Sequence, residues 1–140
     1  MRPLYESSKD LENEQSVAAA LSHAWGCSFN KLPMSYHVDW VLESEGKLCA
    51  FAELKCRNNP RSKYPTLMLS LNKWVRGCEL AKYSGVPFIL VVRWSDGLFW
   101  IKHTDTPITT GIGGRHDRND KQDIEPVVYI NTEHFKEVKL

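Results

Sequence analysis

Apolar and polar residues follow each other in two different periods along the chain, and these periods predict two main helices and several strands. The helices are predicted over residues 8–25 and 71–83, and each has a glycine just beyond it that suits the left-handed end of a helix. Strands are predicted over residues 27–32, 37–43, 47–57, 88–94, 98–102 and 127–130. A short helix is predicted over residues 132–138. Residues 103–126 are polar and rich in glycine, so a long mobile loop is predicted there.

The order of these elements is helix, three strands, helix and further strands, which is typical of an α/β or α+β fold. The second helix lies between the predicted strands 47–57 and 88–94, so it can form a right-handed crossover between parallel neighbours. A chain of 140 residues has the usual length of one domain. We therefore expect a single domain over residues 1–140, built around a small mixed sheet.

The composition excludes several classes of protein. Hydrophobic residues make up 42% and charged residues 25% of the chain, close to the globular average, and the net charge is only +1. The apolar runs are far shorter than the roughly 20 residues that a membrane-spanning helix needs. No export signal is visible, and the four cysteines are widely spaced without a C-x-x-C pair, which argues against structural zinc. We expect reduced thiols in a cytoplasm and no membrane partner.

Three charged residues on two neighbouring strands form the most informative pattern. Glu53 and Lys55 are two residues apart in an apolar strand, so their side chains project from the same face. A hairpin turn over residues 44–46 makes the strand that contains Asp39 the antiparallel neighbour, so Asp39 can reach the same end of the sheet. Two carboxylates form a hard oxygen site for Mg²⁺ or Mn²⁺, and a lysine beside them can orient water or stabilise negative charge. Such a site can hydrolyse a phosphodiester bond.

The first helix supplies a third candidate carboxylate. Its apolar stripe consists of Leu11, Val17, Ala18, Leu21 and Trp25. At about 100° per residue, Glu14 falls in the middle of this stripe, whereas Glu12 falls on the opposite face. An acid inside an apolar stripe needs a partner, which a metal-bound water or Lys55 would supply. Glu14 is therefore the preferred site residue of this helix, and Glu12 is the alternative. The other interpretation of Glu14 is a surface acid near the start of the helix whose carboxylate reaches water.

The helix carboxylate and the D…E-x-K pattern together resemble the PD-(D/E)XK nuclease superfamily, in its Holliday-junction-resolvase-like and phage endonuclease branches. Thirteen residues separate Asp39 from Glu53, which is typical of the superfamily, although Val38 stands where proline is usual. The resemblance covers roughly residues 8–102 and implies a restriction-endonuclease-like core. A member of the phage branch would act in the cytoplasm of a bacterium or of a phage-infected host cell.

The resemblance implies a role for each matching residue. Asp39, Glu53 and the carbonyl group of Leu54 would hold Mg²⁺ or Mn²⁺. Lys55 would assist the attacking water, and Glu14 would orient water or complete a second metal site. These roles amount to divalent-metal-dependent hydrolysis of DNA.

Seven basic residues outside this pattern are candidates for contact with the DNA backbone, and a solvated surface position is the alternative for each. They are Arg57, Arg61, Lys63, Lys73, Arg76, Arg115 and Arg118. The first three form a basic loop after the candidate site, and the last two lie in the predicted loop 103–126. On the second helix, the predicted apolar stripe consists of Leu71, Trp74, Val75, Cys78 and Ala81. At about 100° per residue, Lys73 and Arg76 fall near 200° and 140° from Leu71, off this stripe.

A DNA endonuclease is favoured over an exonuclease, because no clamp or helicase module accompanies the predicted domain. Selectivity for branched DNA is one version of this function, and resolution of junctions would normally require a homodimer. Two alternatives stay open. One is an inactive module of the same fold that binds nucleic acid or protein, and the other is a metal-dependent nuclease that acts on RNA.

Overall fold

A computed structural model describes residues 8–33, 38–114 and 124–139 of the chain. The helices and strands in these residues are α1 (Ser8–Trp25), β1 (Ser28–Lys31), β2 (Trp40–Ser44), β3 (Lys47–Cys56), β4 (Thr66–Ser70), α2 (Leu71–Ser84), β5 (Phe88–Trp94), β6 (Gly97–Lys102), β7 (Ile108–Gly114), β8 (Ile124–Asn131) and β9 (Lys136–Glu137). Short 3₁₀ helices occur at Arg61–Lys63, His103–Asp105 and Thr132–His134. Neither α1 nor α2 has the length and apolar character that crossing a membrane requires, and no other helix in the described ranges has them.

Six strands form a mixed central sheet in the order β1-β2-β3-β5-β6-β9. β3 and β5 are parallel neighbours, and the other neighbouring pairs are antiparallel. The chain passes from β3 to β5 through β4 and α2, which is the crossover that the sequence predicts. This arrangement confirms the predicted fold class, a helix followed by strands, a second helix and further strands around a mixed sheet.

α1 covers one face of the central sheet. Val17 and Leu21 of α1 are buried in one apolar cluster with Ala52 and Leu54 of β3 and Val91 of β5. Alternate residues of a strand point to opposite faces, so consecutive residues of β3 belong to different halves of the core. The face that carries Glu53 and Lys55 is therefore the face turned away from α1.

α2 covers the other face of the central sheet. Trp74 and Ala81 of α2 are buried in one apolar cluster with Phe88 and Leu90 of β5. Gly77 is required where α2 crosses β5, because a Cβ atom at this position would overlap the ring of Phe88. Glycine inside a helix costs about 1 kcal/mol relative to alanine. Here that cost allows α2 to lie close to the sheet.

A second sheet of three antiparallel strands, β4-β8-β7, packs beside α2 and corrects the sequence prediction. β4 lies in a segment where the sequence predicts no element, although Leu67 and Leu69 alternate with exposed positions as in a half-buried strand. β7 lies inside residues 103–126, where the sequence predicts a loop, and residues 115–123 are outside the described ranges. The apolar residues Ile108 and Ile112 of β7 are exposed. β7 is therefore held by its pairing with β8 and not by a hydrophobic pattern of its own.

The predicted helix over residues 132–138 is wrong. The chain forms a 3₁₀ helix at Thr132–His134 and then β9, which pairs with β6. Phe135 and Val138 are buried in different apolar clusters, on opposite faces of the central sheet. Residues three apart in a helix share one face, so only a more extended chain can bury both of them in this way.

Candidate active site

The start of β2 and the middle of β3 bring the predicted acidic residues together. Trp40 pairs with Ala52 in antiparallel register, so Asp39, one residue earlier in the chain, lies level with Glu53. Lys55 lies two residues further along β3 on the same face, and its Nζ atom is 3.5 Å from Glu53 Oε1. The D…E-x-K residues therefore meet at one point of the central sheet, on the face that α2 covers.

The carboxyl group of Glu53 lies in an environment that disfavours its charge. Its side chain is only 1% exposed. Burial raises the pKa of Glu53 although Lys73 and Lys55 lie beside it, and the nearby Asp39 contributes to the rise. A buried carboxylate is costly unless opposite charges surround it. Carboxyl groups with pKa values perturbed in this way are concentrated at functional sites.

Asp39 is shifted in the opposite direction. Its side chain is 20% exposed, and burial by itself would raise the pKa of Asp39. The charges of Lys73, Lys31 and Lys55, together with the carboxyl group of Glu53 within hydrogen-bonding reach, outweigh burial and lower this pKa. Of the two neighbouring carboxyl groups, Asp39 therefore keeps its negative charge more firmly, and Glu53 is the one that takes up a proton more readily.

Lys55 has a pKa below its usual range. Burial is the main cause, and the positive charges of Lys73 and Arg57 add to it, whereas Glu53 and Asp39 act in the opposite direction. A lowered pKa increases the fraction of neutral amine near neutral pH, and a neutral amine can accept a proton from water. The environment of Lys55 therefore suits the role that the resemblance implies for it.

Two further lysines lie at this site. Lys73 of α2 places its Nζ atom 2.6 Å from Glu53 Oε1 and 3.8 Å from Asp39 Oδ1. Lys31, at the end of β1, places its Nζ atom 3.8 Å from Asp39 Oδ1. The sequence does not single out Lys31, and it offers Lys73 only as a DNA contact or a solvated residue.

Lys73 reaches the site because α2 is rotated relative to the predicted apolar stripe. The buried residues of α2 are Trp74, Gly77 and Ala81. If angles around the helix axis are measured from Leu71, these residues centre at about 270°, whereas the predicted stripe centres at about 340°. Val75 belongs to the predicted stripe but is 44% exposed, and Lys73 lies at the edge of the true one. Leu80 could have indicated this rotation, because it is an apolar residue at about 180°, away from the predicted stripe, and it packs against the core.

Glu14 is buried, as its place in the apolar stripe of α1 predicts, and Glu12 is exposed. The Nε1 atom of Trp40 donates a hydrogen bond of 3.3 Å to Glu14 Oε1. Lys31 Nζ donates to the same oxygen at 3.2 Å. Because Lys31 Nζ also lies 3.8 Å from Asp39 Oδ1, it joins Glu14 to the acidic pair. Lys31 is therefore a partner of the buried Glu14 carboxylate, a role for which the sequence suggests Lys55 or a metal-bound water.

The residues at this point fit a divalent cation. Glu53 Oε2 is buried and has no hydrogen-bond donor among the described residues. Buried carboxylate oxygens normally have a partner, and a proton shared with Asp39 or a cation between the two carboxylates would supply one. The described residues hold no cluster of three or more acidic, histidine or cysteine side chains around a metal position. Two carboxylates are enough for Mg²⁺, because water completes its coordination.

The carbonyl group of Leu54, the third predicted ligand, belongs to a part of β3 that extends beyond its pairing with β2. The ladder between β2 and β3 ends at the pair of Trp40 and Ala52. Beyond this pair, β3 continues beside β5 alone. The backbone at Leu54 is therefore not paired with β2.

The arginines of the basic loop occupy different environments. Arg57 follows Lys55 on the same face of the chain, and burial lowers the pKa of its guanidinium group. The Nη1 atom of Arg61 donates a hydrogen bond of 2.9 Å to the carbonyl oxygen of Thr132. The guanidinium group of Arg61 also lies 5.0 Å from the ring centre of Phe99. Arg61 is therefore an anchor of the loop.

The remaining candidate DNA contacts are Lys63, Arg76, Arg115 and Arg118. Lys63 is exposed, and its Nζ atom lies 5.5 Å from the ring centre of Tyr64. Arg76 is half-buried on α2. Arg115 and Arg118 lie outside the described residues, so the structure does not test them.

Comparisons with known proteins give a family and a similar fold. The family model described as "Phage putative PDDEXK endonuclease" matches residues 1–138. Among solved structures, the chain is similar to Hjc of Archaeoglobus fulgidus, a Holliday junction resolvase from an archaeal hyperthermophile. The TM-score is 0.66 at 15% sequence identity, over 94% of this chain and 93% of that chain. At this identity the likeness shows the fold alone. No curated protein sequence matches the chain.

Proposed function

The chain belongs to the phage PDDEXK endonuclease family, and on this premise we propose that it is a divalent-metal-dependent endonuclease that hydrolyses phosphodiester bonds of DNA. The observation that carries the proposal is the meeting of Asp39, Glu53 and Lys55 at one point of the central sheet, where Glu53 Oε2 lacks a hydrogen-bond donor among the described residues. An apolar strand has no structural need for such a group of charges.

Asp39, Glu53 and the carbonyl group of Leu54 would hold Mg²⁺ or Mn²⁺. A cation bound there supplies polarisation of the scissile phosphate and a lower pKa for a bound water. The opposite pKa shifts of the two carboxyl groups support this role, because Asp39 keeps a negative charge at neutral pH and the buried Glu53 benefits most from a nearby cation.

Lys55 would act on the attacking water. Its Nζ atom is 3.5 Å from Glu53 Oε1, and burial lowers the pKa of Lys55, which makes the neutral amine that can accept the proton of the water more accessible. Once protonated, the ammonium group is placed to stabilise negative charge that develops on the phosphate. Glu14 would orient Lys31 beside Asp39 and would affect the reaction through that lysine. Coordination of a second metal by Glu14 remains a prediction from the resemblance.

Arg57 would contact the DNA backbone next to the scissile phosphate. It lines a hollow of about 190 Å³ with Asn59, Tyr64 and Trp94, among others. Arg61 lines the same hollow, but its guanidinium group is held by the distant residues Thr132 and Phe99, whereas Arg57 Nη1 donates to the carbonyl oxygen of its own neighbour Cys56. Lysine and arginine contacts to phosphates fix the position of a protein on DNA without reading its sequence. Lys63, Lys73, Arg76, Arg115 and Arg118 remain candidates for the same role.

The test is cleavage of supercoiled plasmid, linear duplex, single-stranded and four-way-junction DNA, and of RNA, in Mg²⁺, Mn²⁺ or EDTA. We expect DNA cleavage in Mg²⁺ or Mn²⁺ and none in EDTA. Lys55→Ala should slow the reaction by about 10²- to 10⁴-fold, the usual contribution of a general acid or base. Lys47→Ala is the matched control, because Lys47 is an exposed lysine at the far end of the same strand.

Each other outcome selects an alternative. A folded protein that cleaves none of these substrates would be a binding module of the nuclease fold. Cleavage of RNA alone would identify a ribonuclease. The similarity in fold to a junction resolvase is the reason to include four-way-junction DNA among the substrates. Preferred cleavage of the junction should then be accompanied by a homodimer, which light scattering measures.

A further inference from the structure

Lys73 is the lysine nearest to the acidic pair in the described structure. Its Nζ atom lies 2.6 Å from Glu53 Oε1, whereas the Nζ atom of Lys55 lies 3.5 Å from the same oxygen. Lys73 Nζ also lies 3.8 Å from Asp39 Oδ1, so one ammonium group contacts both carboxylates. A divalent cation held by Asp39 and Glu53 would need the same oxygens.

The electrostatics of the site agree with this position. For both Asp39 and Glu53, the charge of Lys73 is the strongest of the charge effects that favour the ionised carboxylate. Glu53 is almost completely buried, so its charge needs a partner inside the protein. Without a metal, Lys73 is that partner.

The packing of α2 holds Lys73 in this place. Gly77, one turn further along the helix, allows α2 to lie against the ring of Phe88. Trp74 is buried beside the same ring, with ring centres 5.9 Å apart. The side chain of Lys73 is only 25% exposed as a result. The contact is therefore part of the fold and not a chance position of a surface lysine.

We propose that Lys73 is the internal counter-ion of the acidic pair and competes with the divalent cation for Glu53, so that it sets the metal affinity of the site. The inference rests on the proposed function, because it assumes that Asp39 and Glu53 are the metal ligands. Its consequence is opposite in sign to the usual effect of a substitution in an active site. Removing the charge of Lys73 should strengthen metal binding.

The test is calorimetric titration of Mn²⁺ and of Mg²⁺ into the DNA-free protein, for the parent and for Lys73→Met. Met keeps a long unbranched side chain and removes the charge. We expect the Kd for Mn²⁺ to fall by about tenfold, because a charge within about 4–6 Å of a carboxylate commonly changes its ionic equilibria by that factor or more. Lys82→Met is the matched control, because Lys82 is an exposed lysine near the end of the same helix. An unchanged or higher Kd in Lys73→Met would overturn the competition.

Thermal unfolding provides a second readout that does not need activity. In EDTA, Lys73→Met should unfold at a lower temperature than the parent, because Glu53 loses its nearest counter-ion. Saturating Mn²⁺ should then raise the unfolding temperature of Lys73→Met by more than that of the parent. If Lys73→Met does not fold in EDTA, Lys73→Gln removes the same charge but keeps a hydrogen-bond donor for Glu53. Equal Mn²⁺-induced shifts in variant and parent would contradict the proposal.

The two proposals can fail separately. Metal-dependent DNA cleavage by the parent, with the same metal affinity in Lys73→Met, would leave the nuclease proposal intact and remove the competition. Tighter Mn²⁺ binding by Lys73→Met, with no cleavage of any substrate by the parent, would support the competition and remove the nuclease proposal.

Discussion

Glu53 and Leu54 are consecutive residues of β3, and they occupy opposite faces of the central sheet. Leu54 is 3% exposed and Glu53 is 1% exposed, so burial alone does not distinguish them. Leu54 packs with Val17 and Leu21 of α1 in an apolar cluster. Glu53 instead contacts the ammonium groups of Lys73 and Lys55.

The difference shows what each face contributes. Burial of Leu54 removes apolar surface from water, which stabilises the fold. The pKa of Glu53 is raised, which means that its neighbouring lysines do not fully compensate the cost of burying its charge. Burial of Leu54 on the α1 face of β3 therefore stabilises the protein, whereas burial of the Glu53 charge on the α2 face lowers its stability. We attribute that loss to the proposed cation site.

The largest expected effect that separates the two faces is on activity. Glu53→Gln should lower the rate of metal-dependent DNA cleavage by at least about 10²-fold, because it removes a charge placed for the reaction. Leu54→Ala should keep the parent rate per folded molecule at a temperature where it is folded, because alanine keeps the backbone carbonyl group that is the proposed metal ligand and changes only the apolar side chain. Initial rates of plasmid nicking, corrected for the folded fraction, measure both. Equal losses in the two variants would contradict the separation.

The second effect is on stability, and it reverses the order of the two variants. Leu54→Ala should lower the free energy of unfolding by about 2–5 kcal/mol, the usual cost of truncating a buried leucine. Urea unfolding followed by tryptophan fluorescence measures this cost. The control is Leu48→Ala, because Leu48 lies on the same strand but is 38% exposed. A loss in Leu54→Ala no larger than that in Leu48→Ala would argue against the packing role.

A smaller effect is expected for the stability of Glu53→Gln in EDTA. The free energy of unfolding at neutral pH should be unchanged or slightly higher, because the raised pKa of Glu53 means that its buried charge costs stability there. The glutamine removes the buried charge and keeps a side-chain oxygen that can accept a hydrogen bond from Lys73, whose Nζ atom lies 2.6 Å from Glu53 Oε1 in the parent. A loss as large as that of Leu54→Ala would show that the charged face also stabilises the fold.

The smallest effect is the pH dependence of these differences. The pKa of Glu53 is raised in the folded state, so its cost is present at neutral pH and is relieved as the pH falls through that raised pKa. The advantage of Glu53→Gln over the parent should therefore shrink on acidification from about pH 7 to about pH 4.

The pKa of Asp39 is lowered in the folded state, so Asp39 has the opposite sign. Its contribution is present above its unfolded pKa of about 3.9 and is lost as the pH falls through the folded value. The advantage of the parent over Asp39→Asn should shrink only below about pH 4. Urea unfolding across this range in EDTA measures both differences, and parallel curves for the two variants would contradict the opposite shifts.

Several features of the protein follow from the sequence by itself. Both helices and the strands β2, β3, β5 and β6 lie where local periodicity and the closing glycines predict them. The positions of Asp39, Glu53 and Lys55 also follow from local rules, because strand parity and a short hairpin fix which residues share a face. The burial of Glu14 follows from its place in a helical stripe.

Other features were decided only by the tertiary structure. β7 and β9 exist because distant strands pair with them, and the rotation of α2 depends on the fit of Gly77 against Phe88. That rotation brings Lys73 to Glu53, and the end of β1 brings Lys31 to Asp39. The physical reason is the range of the interactions. Periodicity and capping act over a few neighbouring residues, whereas a counter-ion is chosen by how whole elements pack against each other.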